Sequence, residues 1–296
     1  MQHDAFSQRH PLVNFVFFVG AIGCSAVLLH PAYLAAELLC AGGYYLLLNG
    51  RKGWKMIAGL LPLALFLAGI NPLFNTRGQT VLFYVLNRPY TAEALLYGAV
   101  IAGMFAAMVL WFGCYNAVLA GDKFTSLFGN LIPALSLVLV MVLRMIPSFL
   151  RKIRQISGAR KSIGKGAAEG SSLRERLQDG LVVLSALTDW ALDGSVVTCD
   201  SMRARGYGTA RRSSFQLYRM KAADWALLGL MAALLTLLLI WSFRGAAAAE
   251  FTPRLYIAPL TAANLPGLAA CCLFLLIPIA LQTKETIQWH ISRSNI

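Results

Sequence analysis

Two short basic stretches hold the residue types most able to do chemistry. "GARKSIGKG" (158–166) and "DSMRARGYG" (200–208) each set an arginine beside small residues, with more cations and glycines close by. The first superficially resembles a phosphate-binding P-loop. However, five residues separate Gly158 from Gly164 where that pattern needs four, Gly166 stands in place of the magnesium-binding Ser or Thr, and no strand pattern precedes it. The second echoes the basic-Gly-aromatic-Gly start of an RNA-binding strand, but Thr209 and Ala210 interrupt the aromatic continuation and the surrounding periodicity is helical. A plainer description fits both: C-terminal helix caps, with arginines at the negative end of the helix dipole and glycines allowing a left-handed turn.

Other reactive side chains are sparse. Glu37 lies within an apolar block, where a carboxylate can relay protons or ions, yet it has no basic residue near it in sequence. Glu93 and Asp224 flank apolar blocks, and Asp189 and Asp193 stand one helical turn apart on a polar face. The 4 histidines form no HxxxH or HExxH pattern, and no Ser/His/Asp arrangement is evident, so catalytic, metal-binding and cofactor-binding residues are all expected to be absent. The 6 cysteines, Cys24, Cys40, Cys114, Cys199, Cys271 and Cys272, have no CxxC or metal-ligand spacing and read as small buried hydrophobes.

The elements that position these residues are membrane helices. Of the 296 residues 58% are hydrophobic and 13% charged, in apolar blocks too long for the alternating faces of a soluble core. The N-terminus lacks the basic region and cleavage site of a removable signal, so the first apolar block is expected to remain. Spans are predicted at 11–29 and 32–48, meeting at His30-Pro31, and at 54–70, followed by a loop beginning "NPLFNTRG". Further spans are predicted at 91–120, 224–243 and 256–281.

The block at 130–147 is apolar enough to be a seventh. A crossing there would export the most basic region of the chain, since 144–221 holds 15 Lys and Arg against 6 acidic residues. Keeping that region inside places 22 of the 26 basic residues on the cytoplasmic side, leaving only Arg77, Arg88, Arg244 and Arg254 outside. Residues 124–147 are therefore expected to form a helical hairpin within the cytoplasmic leaflet, bent at Pro133, with both chain termini cytoplasmic. The resulting fold class is an all-α integral membrane protein of about six transmembrane helices plus a cytoplasmic or interfacial helical domain. The divisions are 1–120, 121–222 and 223–296.

Within the inserted domain, a helix starting near Pro147 and ending before Gly158 would carry Arg151 and Arg154 and project roughly 20 Å at 1.5 Å per residue. A second helix begins at a Ser171 or Ser172 cap with Glu175 behind it. Leu173, Leu177, Leu181, Leu184, Leu187 and Trp190 recur at helical spacing, a stripe to pack on the first helix or on the membrane surface. The two helices form an antiparallel pair, ending at Ala159-Arg160-Lys161 and Ala204-Arg205-Gly206.

These residues carry a resemblance to a known family. "LRMIPSFLRKI" is similar to the Arg-Phe-Ile-Pro start of the coupling helices in the transmembrane T component of energy-coupling factor (ECF) importers, the EcfT/CbiQ family. "DSMRARGYG" is similar to that family's Ala-Arg-Gly-Tyr signature, and Arg160 and Arg205 are separated like its two arginine motifs. The resemblance covers roughly 11–243; the first motif departs from the family in having Lys161 where glycine is usual.

The resemblance implies a non-catalytic, L-shaped scaffold in a bacterial or archaeal cytoplasmic membrane. It would join a membrane-embedded S component to two cytoplasmic ABC-type ATPase subunits, which hydrolyse the ATP that drives uptake of a vitamin or transition-metal ion. It further implies that Ala159, Arg160, Lys161, Ala204, Arg205 and Gly206 dock the ATPases, supported by Arg144, Pro147, Asp200, Tyr207 and Gly208. No cofactor and no nucleic acid is implied, and the lipid bilayer is the remaining partner. From the residues alone, a self-contained secondary transporter and a membrane-tethered polyanion-binding protein stay open as alternatives.

Overall fold

The structure, a computed structural model, describes residues 6–75, 78–85, 88–119, 123, 127, 133–166, 172–209, 218–251, 255–259, 261–262 and 264–294. Eight helices are present among them: α1 (Pro11–Val27), α2 (Pro31–Asn49), α3 (Arg51–Phe74), α4 (Ala92–Val118), α5 (Pro133–Ser162), α6 (Leu173–Ala204), α7 (Ala222–Phe243) and α8 (Leu265–Ser294). Two small antiparallel hairpins, β1 (Val81–Val85) with β2 (Arg88–Thr91) and β3 (Ala249–Glu250) with β4 (Tyr256–Ile257), join α3 to α4 and α7 to α8. The chain is thus an all-α membrane protein: helices satisfy their backbone groups internally, as a lipid environment requires. It divides into two units, Met1–Phe124 with Tyr218–Ile296, and Thr125–Leu217.

The first unit contains α1 to α4, α7 and α8. Its core is aromatic, with Phe17, Phe18, Tyr44, Trp111 and Phe274 buried. Phe17 meets Phe18 and Trp111 edge to face, with ring centroids 5.4 and 5.6 Å apart. Both α1 and α2 start with the same device. His10 and His30 precede Pro11 and Pro31, and each imidazole Nδ1 accepts the N–H two residues on, from Leu12 and Ala32, at 3.2 Å. Proline at the first helical position removes one orphan donor and the ring nitrogen satisfies another. Where α3 and α4 meet, Pro72 cannot donate to the Ala68 carbonyl. A side chain at Gly98 would place its Cβ 2.7 Å from that same oxygen, so glycine is what lets the helices come together.

Among the described residues six helices are long and apolar enough to cross a membrane: α2, α3, α4, α6, α7 and α8. Four expected spans, 32–48, 54–70, 91–120 and 224–243, coincide with α2, α3, α4 and α7. Several expectations are corrected. The predicted span at 11–29 is a 17-residue helix, shorter than the others. Helix α3 continues through Asn71 and Pro72, so the loop begins only at Asn75; one proline removes one helical bond and the apolar run on its N-terminal side carries the helix through it. Helix α8 begins at Leu265 and not at Tyr256. There the Pro259 carbonyl accepts from Thr261 N at 2.8 Å and from Asn264 Nδ2 at 3.0 Å, a turn in place of a helical ladder.

In the second unit, the helix expected to start near Pro147 and stop before Gly158 is part of one 30-residue helix, α5, which passes through both residues. Neither breaker ends it: Pro147 costs a single backbone bond, and Gly158 inside a helix costs only about 1 kcal/mol relative to alanine. The expected hairpin bend at Pro133 falls at the first residue of α5, and most of 124–132 lies outside the described residues. Helix α6 has the predicted cap at Ser172, whose Oγ accepts from Glu175 N at 3.3 Å while Glu175 Oε2 accepts from Ser172 N at 3.0 Å. The alternative cap, Ser171, lies outside the described residues.

Candidate functional site: the helical hairpin and its two ends

Three contacts fix how α5 and α6 pair. Arg160 Nε donates to Asp179 Oδ1 at 2.6 Å, Phe149 meets Trp190 edge to face with centroids 5.8 Å apart, and Lys152 Nζ stands 5.5 Å from the centre of the Trp190 ring. Moving eleven residues back along α5, from Arg160 to Phe149, moves the partner eleven residues forward along α6, from Asp179 to Trp190. The helices therefore run antiparallel in a fixed register. The apolar stripe of α6 splits across this register: Trp190 faces α5, whereas Leu173, Leu177, Leu181 and Leu184 are exposed. They point about a quarter-turn or more away from Trp190, because its position falls off their three-and-four spacing by the third turn.

Both arginine-bearing helix ends close in the same way. At the end of α6, Gly206 N donates to Arg203 O at 2.9 Å and Tyr207 N to Met202 O at 3.0 Å, with Gly206 at φ +72°. At the end of α5, Gly164 N donates to Lys161 O at 3.1 Å and Lys165 N to Arg160 O at 3.0 Å, with Gly164 at φ +71°. Each is a Schellman motif, in which a left-handed residue lets two N–H groups turn back onto orphan carbonyls. The cap glycine of α5 is Gly164 and not Gly158. This geometry also disposes of the phosphate-loop resemblance: anions bind helix N-termini, and "GARKSIGKG" ends a helix. "RGYG" is likewise a cap and not a strand.

The two ends differ in what their arginines do. Arg160, with its side chain 20% exposed, is held by Asp179 and by the Lys165 carbonyl, to which Nη2 donates at 3.1 Å. Its neighbours Ala159 and Lys161 are exposed. Arg205 is the C-cap residue itself, is exposed, and has no side-chain partner among the described residues; Ala204 and Gly206 are exposed beside it. Asp200, Tyr207 and Gly208 cluster with this second end and are exposed, whereas Arg144 and Pro147 lie midway along α5, beside neither end. Because the pair is antiparallel, Arg160 and Arg205 sit at opposite ends of it. Arg205 is 26 residues beyond Asp179, about 39 Å along α6 at ~1.5 Å per residue.

Two of the remaining carboxylates, Asp224 and Glu93, hold local backbone. Asp224 Oδ2 accepts from Lys221 N at 3.1 Å, capping α7, and Oδ1 stands 3.5 Å from Arg9. Glu93 accepts from Thr80 N at 3.1 Å, fixing the turn before β1. Asp189 and Asp193 are exposed. Glu37 is fully buried beside Ser25, whose hydroxyl donates to the Ala21 carbonyl at 3.1 Å. Cys24, Cys40, Cys114 and Cys271 are buried as expected and Cys272 partly so, but Cys199 is exposed on α6. Among the described residues no three His, Cys, Asp or Glu side chains converge as a ligand set.

Sequence reasoning missed one group altogether. The N-terminal segment touches both places where the chain passes between the two units. Ser7 Oγ donates to Val118 O at 3.4 Å, Lys123 Nζ donates to Ser7 Oγ at 2.6 Å and to Val118 O at 3.0 Å, Arg9 pairs with Asp224, and His10 meets the Tyr218 ring. No periodicity announces contacts more than a hundred residues apart.

A family model described as "Cobalt transport protein", CbiQ, matches residues 3–217. The match includes the whole α5–α6 hairpin and stops before α7. No curated protein matches the chain.

Proposed function

From the premise that the chain belongs to the CbiQ cobalt transport protein family, we propose that this multi-pass membrane protein is the T component of an ECF-type importer. It couples two cytoplasmic ABC-type ATPases to a membrane-embedded S component that binds the cargo, a transition-metal ion such as cobalt or a vitamin. The chain itself is not an enzyme in this reading; its partners hydrolyse ATP.

The observation that carries the proposal is the hairpin: two arginine-bearing helix ends with the same Schellman closure, at opposite ends of one antiparallel pair. Such ends suit docking to two copies of one kind of partner. Small neighbours let the partner backbone approach, and a guanidinium presents a planar set of donors to carboxylate or carbonyl groups. Connectivity supports a cytoplasmic placement of the hairpin. The chain leaves the first unit at the end of α4 and returns at the start of α7, and the N-terminal segment touches both points, so departure and return lie on one face. A segment with that connectivity crosses a membrane an even number of times. Zero crossings agree with the charges carried by both helices, Arg151, Lys152, Arg154 and Arg160 on α5 and Arg174, Arg176, Asp189 and Asp193 on α6.

The test is co-purification followed by hydrolysis assays. Affinity-tagged chain extracted in mild detergent should bring down two ATPase subunits and a small membrane protein. The complex should hydrolyse ATP, and the isolated chain should not. Robust hydrolysis by the isolated chain, or cargo uptake in liposomes containing it alone, would overturn the assignment.

A further inference from the structure

The N-terminal segment, which precedes the first helix, is anchored in the core by one residue. Phe6 is fully buried, with its ring edge to face against Phe17, Phe18 and Tyr44 at centroid distances of 5.2, 6.1 and 6.4 Å. Phe6 thus anchors the segment to α1 and α2. The next four residues reach outward in two directions. Ser7 engages the end of α4 through the Val118 carbonyl and Lys123, whose ammonium also donates to the Ser7 carbonyl. Arg9 and His10 engage the start of α7, through Asp224 and Tyr218. Asp224 is itself tied to the backbone at Lys221, so Arg9 grips the first turn of α7 and not a free side chain.

We propose that residues 6–10 are a clasp: they hold the departure point after α4 and the return point before α7 at a fixed separation, so that force from the hairpin reaches the membrane helices instead of being absorbed at its two junctions. The mechanical part of the inference stands on the first unit alone; its consequence for transport rests on the function proposed above. The physical ground is redundancy. A lone ion pair at 3.5 Å, with the Asp224 side chain buried but that of Arg9 one-third exposed to solvent, is a weak tether by itself. Here one short segment combines that pair with a buried aromatic anchor and a charge-assisted hydrogen-bond cluster, all within five residues, so its ends cannot move independently. Ser7, Arg9 and Lys123 are positioning residues in this account and touch no cargo or nucleotide.

The experiment measures the separation directly. In a variant freed of native cysteines, spin labels at Ala117 and Arg219, both exposed and outside the clasp, report the distance between the end of α4 and the chain leading into α7 by electron–electron resonance in nanodiscs. The parent should give a narrow distribution. Arg9→Ala and Phe6→Ala should each widen it at least twofold while thermal melting shows the protein still folded, and Arg9→Lys should restore the narrow distribution. An unchanged width in both alanine variants, or widening seen only where the fold is lost, overturns the clasp. This arm needs no partner, so its outcome is independent of whether ATPases bind. In the co-purified complex, the same alanine variants should retain ATP hydrolysis yet lose most 57Co2+ uptake per ATP consumed. If they instead lose ATPase association, or leave the ratio unchanged, the coupling role is withdrawn.

Discussion

Replacing Arg205 with alanine separates the proposed docking from capping, because the cap uses backbone atoms alone and docking would use the guanidinium. The cap at the end of α6 is backbone: Arg205 N donates to Ser201 O at 3.2 Å, Gly206 N to Arg203 O at 2.9 Å and Tyr207 N to Met202 O at 3.0 Å. None of these bonds uses the guanidinium. Truncation therefore removes only its attraction to the negative helix end, about 0.3–1 kcal/mol, and the melting temperature should barely move. If the guanidinium fills a partner groove, the loss falls on binding and amounts to about 2 kcal/mol or more, roughly a thirtyfold weaker Kd at 1.4 kcal/mol per tenfold. Immobilised nanodiscs carrying the chain, titrated with purified ATPase in an interferometry assay, give that Kd directly. Arg203→Ala and Arg174→Ala, which remove the same charge outside the small-Arg-small pattern, should weaken binding less than about threefold, as exposed ion pairs do. A change below threefold for Arg205→Ala, or equal losses for all three variants, would refute a specific role and leave only bulk positive charge.

At the other end, Asp179→Asn should release Arg160 and tighten ATPase binding by about two- to fivefold, the worth of one partly exposed ion pair, while lowering the melting temperature slightly; adding Arg160→Ala should abolish the gain. Native Cys199, exposed on α6, should resist an impermeant maleimide applied to intact cells and react in inverted vesicles; labelling from outside would overturn the topology. Gly98→Ala should destabilise the membrane unit by about 1–3 kcal/mol, read as an earlier thermal midpoint, because its Cβ meets the Ala68 carbonyl at 2.7 Å and a backbone atom cannot rotate aside.

What could be read from the sequence follows the range of the forces involved. Helices α4 and α7 were legible because twenty consecutive apolar residues leave no other solution in lipid. The Ser172 capping box and Gly206 were legible because a cap is settled within five residues. The start of α8 was not, since "YIAPLTAANLPG" is as apolar as a helix and only the bonds to the Pro259 carbonyl show that it turns. Continuity of α5 was hidden by Pro147 and Gly158, breakers whose cost a long helix absorbs. The unequal state of the two arginines was hidden as well: Arg160 and Asp179 become neighbours only once the hairpin register is set. The clasp depends on contacts such as Ser7 to Val118, 111 residues apart, and nothing local encodes them.

The shared face at which the chain leaves α4 and regains α7 gives the hairpin the connectivity of a cassette. An insertion whose two ends return to one rim can lengthen, shorten or be exchanged without altering the order of the helices on either side of it, as domain insertions generally can where chain ends lie close together. Under the proposed function, selection could therefore tune the hairpin to new ATPases and the membrane helices to new cargo-binding subunits along nearly separate lines, with residues 6–10 the place where both histories have to agree.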